Sequence, residues 1–220
     1  FEEYARIPVE VEYGSEFRYR NPIIRKNDIV IAISQSGETA DTLAAIKMAK
    51  AAGAMVFGIC NVPGSTISRE THAGAYTHAG PEIGVASTKA FTTQLASLFV
   101  LTIILGKINN RITKKQEKEY LSELRLLSGN IQHALNLEPQ IKEWSKQFAE
   151  KNNALFLGRG IHYPIALEGA LKLKEISFVL AKCATNPPAK LSSSNAATAT
   201  NAPNKVDDKQ LRELHIKKRL

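Results

Sequence analysis

Ile29-Val30-Ile31-Ala32-Ile33 is an apolar run without polar alternation, and such a run reads as a strand covered on both faces, the kind found in parallel sheets. Residues 40–52 then read as an amphipathic helix with Leu43, Ile46 and Ala49 on one side. Between them lies Ser34-Gln35-Ser36-Gly37-Glu38-Thr39. A helix start offers unpaired N–H groups and a partial positive charge, so hydroxyls placed there can complete an oxyanion site, and Gly37 lets the backbone approach closely. The plainer alternative is an N-cap, but three hydroxyls, a Gln and a Gly within six residues exceed what capping requires. No G-x-G-x-x-G opens a helix and no Gly-rich turn ends in Lys-Ser/Thr, which argues against dinucleotide and Walker-type nucleotide binding.

The same alternation continues along the chain. Strands are expected at residues 28–33, 55–60, 73–77 and 153–157, and an edge-like strand at 7–11, where Ile7, Val9 and Val11 alternate with Pro8, Glu10 and Glu12. Helices are expected to end near Arg6 and to span 85–106, 113–137 and 164–179. Gly158-Arg159-Gly160 joins the strand at 153–157 to the last of these, repeating the strand, turn and helix of the opening unit. Strands alternating with helices predict an α/β fold with a doubly wound parallel sheet. The apolar run 95–105 covers about 11 residues, short of the roughly 20 that span a bilayer. It reads as a core helix, with no membrane role.

The chain's net charge of +8 first suggests nucleic acid. From residue 180 onward, however, 8 basic and 3 acidic side chains supply +5 of that total. The body is only mildly basic, and no aromatic residues interleave with the cations in a stacking platform, so no specific nucleic-acid partner is expected. The two cysteines, Cys60 and Cys183, have neither disulfide-like nor metal-like spacing, which fits a reducing cytoplasm. The segment containing Asn186-Pro187-Pro188, Ser192 to Ser194 and an Ala/Thr/Asn run reads as a basic tail without a core, though 207–220 could form a short helix.

The turn 34–39 resembles the phosphate loop of the sugar isomerase (SIS) domain. Two further stretches narrow the likeness: residues 82–94 (Glu-Ile-Gly-Val-Ala-Ser-Thr-Lys-Ala-Phe-Thr-Thr-Gln) and 166–177 (Ala-Leu-Glu-Gly-Ala-Leu-Lys-Leu-Lys-Glu-Ile-Ser). Together they resemble the isomerase half of the glutamine–fructose-6-phosphate aminotransferase family over residues 1–178. The resemblance implies a flavodoxin-like SIS fold in tandem: a first domain at 1–125, a connecting helix at 126–140, the beginning of a second domain at 141–180, and a divergent tail at 181–220. It implies binding of fructose 6-phosphate and, in the intact enzyme, formation of glucosamine 6-phosphate with ammonia from glutamine. No metal or organic cofactor is implied.

Carried over residue by residue, Ser34, Gln35, Ser36 and Thr39 would hold the sugar phosphate, and the Val85 backbone and Ser87 would meet sugar hydroxyls. Glu175 would be the base that moves a proton between C1 and C2 of the open chain, and Lys172 would stabilise the ionised acid or the developing enediolate oxygen. On residues alone, Glu175 reads as a surface acid paired with Lys172 or Lys174, a preference the resemblance reverses, and Glu168 as an ion-pair partner of Lys172. Lys89 is left unassigned. The family's glutaminase half, its opening strand with a Cys-Gly-Thr-Ser turn, its Lys-His-Gly-Pro segment and its C-terminal Lys do not occur in these 220 residues. The chain therefore reads as a fragment, expected to be neither stably folded nor active alone, of a cytoplasmic enzyme that is a homo-oligomer when intact. Two other functions fit the same fold: a sensor module that binds a sugar phosphate to regulate a partner, and a deglycase or isomerase without a glutaminase half.

Overall fold

The computed structural model describes residues 1–84, 86–177 and 180–184. In chain order the elements are α1 (Glu2–Ala5), α2 (Gly14–Tyr19), β1 (Ile29–Ser34), α3 (Ala40–Ala51), β2 (Met55–Cys60), α4 (Thr66–Glu70) and β3 (Ala73–Tyr76). They continue with α5 (Lys89–Ile108), α6 (Lys114–Leu135), α7 (Glu138–Ser145), β4 (Asn153–Leu157), α8 (His162–Ile176) and β5 (Leu180–Ala184). The described residues fall into two compact units, one of residues 1–82 and 88–126, the other of 83–87 and the residues from 127 on.

In the first unit β1, β2 and β3 form a parallel sheet in that order, with Ile29 opposite Met55 and Ser34 opposite Cys60. This is the α/β architecture that the sequence predicts. Ala32, Ile46, Ala49, Ala54, Val56, Cys60 and Ile67 form its core, with Leu43 packed against it. The buried positions of α3 are Thr42, Ala45, Ile46 and Ala49, the spacing of one helical face. Gly53 stops the helix in the left-handed region at φ 82°. Its N–H donates to the Lys50 carbonyl at 2.9 Å and that of Ala54 to the Ala49 carbonyl at 3.0 Å, the paired bonds of a Schellman end. That reversal feeds the chain into β2.

The second unit carries β4 and β5 in parallel, from Asn153 opposite Leu180 to Leu157 opposite Ala184, with α8 packed on both. Gly169 permits this approach: a Cβ there would lie 2.9 Å from the Phe156 ring. Ala166 and Ala170 are buried along α8.

Several elements differ from the expectations. Residues 7–11 form no strand, and Val11 is 90% exposed. Alternation marks a strand only where a ladder partner exists, and here Glu10 and Glu12 turn to Arg20, at 3.6 and 2.7 Å. Strand β1 has one neighbour among the described residues, so Ile29 is 57% exposed despite its apolar run. Helix α5 starts at Lys89, not at 85, because the Glu82 carboxylate accepts the Ala90 N–H at 3.1 Å. It is 20 residues long, and by length and composition it is apolar enough to cross a membrane. It contacts α1 and β2, Tyr4 meeting Phe99 edge-on at 6.3 Å.

Helix α8 begins two residues earlier than expected, and Pro164 sits in its first turn, where no intrahelical N–H is needed. Strand β5 occupies residues 180–184 and so runs into the expected tail at 181–220; a parallel neighbour supplies the ladder that composition does not reveal. Helices α2, α4 and α7 lack the length or periodicity that pattern reading detects. The expected tail beyond 184 lies outside the described residues.

Replacing Gly53 with Ala isolates the cost of backbone strain, because an added Cβ would meet only the Lys26 side chain, at 3.5 Å. Gly53→Ala is expected to lower stability by about 1–2 kcal/mol, measurable by urea unfolding.

Candidate functional site

The turn between β1 and α3 is built by its own hydroxyls. Ser34, only 2% exposed, accepts the Gly37 N–H on Oγ at 3.0 Å, and that Oγ lies 3.1 Å from Thr39 Oγ1. The exposed Ser36 accepts the Glu38 N–H on its Oγ at 3.2 Å. Thr39 is the N-cap of α3, yet its side chain makes no capping bond to the helix. A capping role would require that bond. The hydroxyls therefore shape the turn, and the start of α3 carries no side-chain cap.

Gly37 is the hinge of the arrangement. It lies at φ 70°, and a Cβ on it would come within 2.0 Å of Ser65 Oγ and 2.4 Å of Ser65 Cβ. No other residue fits without displacing the turn that follows β2. That second turn is bonded to the first, Ile67 N–H donating to the Gly37 carbonyl at 2.9 Å and Thr66 N–H to Glu38 Oε1 at 2.8 Å.

Asn61, 6% exposed, extends the tie to β3. Its backbone N–H donates to the Gln35 carbonyl at 3.3 Å, and its Nδ2 donates to the Gly80 carbonyl at 2.7 Å. Its Oδ1 accepts the Ala79 N–H at 2.8 Å and the Thr77 hydroxyl at 3.1 Å. The carboxyl ends of all three strands thus share one hydrogen-bonded rim, the edge at which open parallel sheets bind ligands.

The charges near this rim are paired. Hydrogen bonding from Thr66, with a smaller contribution from the Arg69 charge, holds the Glu38 carboxyl below the usual carboxylate range. Asp41, in the first turn of α3, faces Arg18 of α2 at 3.3 Å. Burial pushes the Cys60 thiol up, as suits a core residue and not a nucleophile.

In the second unit, Lys172 and Glu175 lie on one face of α8 with Glu168, spaced so that all three side chains meet. Lys172 Nζ sits 3.0 Å from Glu168 Oε1 and 3.1 Å from Glu175 Oε2. The Glu175 side chain is 11% exposed, so it is largely enclosed and not the surface acid that its residue pattern alone suggests. Partial burial alone would lower the Lys172 pKa, but hydrogen bonds and charge from Glu168 and Glu175 outweigh it and raise it above the ordinary lysine value. The cluster shares one lysine between two glutamates.

Of the residues singled out from sequence, Ser34, Gln35, Ser36 and Thr39 come together in the turn, and Lys172 and Glu175 in the helix cluster. Ser87 is half-buried within 83–87, and Val85 lies outside the described residues. His72 accepts the Val56 N–H on Nδ1 at 3.0 Å, a structural role. Among the described residues no group of three His, Cys, Asp or Glu side chains is arranged to hold a metal. Asn61, Ser65 and Glu38 escaped the sequence reading. Asn61 alone had a signal, as the first polar residue after a buried strand.

The SIS domain family model matches residues 1–104. A glutamine–fructose-6-phosphate aminotransferase [isomerizing] from Xanthomonas campestris pv. campestris is 58% identical over 182 residues, 82% of this chain and 30% of the relative. The protein of that name from Chlorobaculum tepidum is 59% identical over 181 residues, 82% of this chain and 29% of the relative. The chain thus spans about 30% of the length of the curated relatives it matches.

Among solved structures, the C-terminal domain of glucosamine-fructose-6-phosphate aminotransferase from Francisella tularensis matches with a TM-score of 0.82 and 45% identity, over 84% of this chain and 52% of that one. Glucosamine-6-phosphate deaminase from Thermotoga maritima shares the fold at a TM-score of 0.60 and 18% identity, over 97% of this chain and 66% of that one. The hydroxyl-built turn at the carboxyl end of β1 and the relatives that match across both units agree: residues 1–104 match the SIS domain family, and the chain is similar to one part of the glutamine–fructose-6-phosphate aminotransferases.

Proposed function

We propose that the chain supplies the sugar-phosphate isomerising part of an enzyme that makes glucosamine 6-phosphate from fructose 6-phosphate and glutamine-derived ammonia. The observation that carries this reading is the turn at Ser34, Gln35, Ser36 and Thr39, whose hydroxyls gather at an uncapped helix start at the carboxyl edge of a parallel sheet. Hydroxyls and N–H groups at such a start suit a phosphate dianion. The Val85 backbone and Ser87 contact sugar hydroxyls in this reading.

The chemistry moves two protons. Ammonia adds to the C2 carbonyl of the open-chain ketose and water leaves, giving an imine; Glu175 removes a proton from C1 and returns it to C2, the O1 hydroxyl proton passes to the imine nitrogen, and the product is the 2-amino aldose phosphate. Lys172 pairs with the Glu175 side chain and offsets negative charge that develops on the substrate. Their direct contact at 3.1 Å supports these roles. In this reading residues 1–125 serve as the first SIS domain, 126–140 as the connector and 141–180 as the start of the second. A glutaminase domain of the same parent chain delivers ammonia, and the intact enzyme works as a homo-oligomer in the cytoplasm.

Ser36→Ala in the full-length protein is expected to weaken fructose 6-phosphate binding by about 1–3 kcal/mol, because one donor to a charged acceptor is removed. Calorimetry decides this, and unchanged affinity would reduce the turn to a structural element. Glu175→Gln keeps the shape and removes the base. Turnover should fall by roughly 10² or more with binding retained, and exchange of the C1 proton with heavy water should fall in parallel. Normal exchange in that variant would transfer the role to another group.

A further inference from the structure

Glu38 lies within the phosphate turn but carries the same sign of charge as the ligand proposed for it. Its carboxylate does not face outward as a free anion: Oε1 accepts the Thr66 N–H at 2.8 Å. Thr66 and Ile67 open α4, and their N–H groups are among those that no helix can satisfy internally. Ser65, the N-cap of α4, makes no side-chain capping bond. Both N–H groups are instead taken by consecutive residues of the turn, Glu38 through its carboxylate and Gly37 through its carbonyl. Arg69 folds over the same helix start, donating to the Gly64 carbonyl and, at 3.1 Å, to Thr66 Oγ1.

We infer that Glu38 is a positioning residue: it closes the turn 34–39 onto the start of α4 and thereby sets how tightly the turn holds a phosphate ester, without touching that ester. The inference rests on the reading of the turn as the phosphate site. Two features of the geometry support it. The backbone N–H of Glu38 is the group that Ser36 Oγ accepts, so moving Glu38 moves the orientation of the most exposed hydroxyl in the turn. The carboxylate is also drawn toward Thr66 and Arg69, which keeps its charge directed at α4 and lowers its repulsion of a bound dianion. Charge is balanced on the other side as well, Asp41 being paired with Arg18.

The test compares Glu38→Ala with Glu38→Gln in the full-length protein, with Ser36→Ala alongside. Glu38→Ala should weaken fructose 6-phosphate and inorganic phosphate binding about tenfold, the size of one lost hydrogen bond, and raise KM with kcat unchanged. Glu38→Gln keeps an oxygen acceptor for the Thr66 N–H and should return affinity to within about threefold of the parent. Amide hydrogen exchange without ligand should quicken at Thr66 and Gly37 in the Ala variant and recover in the Gln variant. Three results overturn the inference: parental phosphate affinity in Glu38→Ala, unchanged exchange at Thr66, or a Gln variant as weak as the Ala variant. If Ser36→Ala binds phosphate normally while exchange quickens in Glu38→Ala, the reading of the turn fails, and with it the functional role of the clamp; loss in Ser36→Ala without loss in Glu38→Ala refutes the clamp alone.

Discussion

Ser34 pairs with Cys60 at the carboxyl end of the β1–β2 ladder, so the two strands leave the sheet side by side and their following turns must share one small space. Gly37 and Ser65 meet there at a distance that excludes even a methyl group. The N–H of Asn61 to the Gln35 carbonyl continues the ladder one step beyond the strands, and the Asn61 side chain gathers the chain after β3. A slip of register would separate all of these partners at once. The shape of the hydroxyl turn is therefore set jointly by the pairing between β1 and β2 and by the bonds among its own six residues.

The helix cluster of the second unit obeys a different constraint. Exposed ion pairs on helices stabilise by only about 0.3–0.5 kcal/mol. The Glu168–Lys172–Glu175 cluster is mostly enclosed, and one cation is shared by two anions. Because the pKa of Lys172 is raised in the folded state, its contribution to stability is fully present below the ordinary lysine value and is lost only as pH climbs through the raised one. At neutral pH the lysine stays charged, and the arrangement keeps an enclosed carboxylate beside a permanent counter-ion.

The fold was legible wherever one element carried its own evidence. Ile29 to Ile33 and the residues of β4 are apolar enough to be strands in any context, and α3 shows its face through Ile46 and Ala49. What pattern reading missed depends on partners remote in sequence. Residues 7–11 alternate without a ladder, while residues 180–184 find one in β4. Glu82 sets the start of α5 from eight residues away. At the site, the hydroxyls of the turn and the i, i+4, i+7 spacing of Glu168, Lys172 and Glu175 could be read from sequence. The contact of Gly37 with Ser65 could not, because it joins two turns that only the sheet brings together.

Helix α4 is five residues long, far below the length at which a helix persists by itself. Its first two N–H groups end on Gly37 and Glu38, so the β1–α3 turn supplies the acceptors that the start of so short a helix lacks. Loss of α4 would take two bonds from the turn, and a displaced turn would leave two N–H donors of α4 without acceptors.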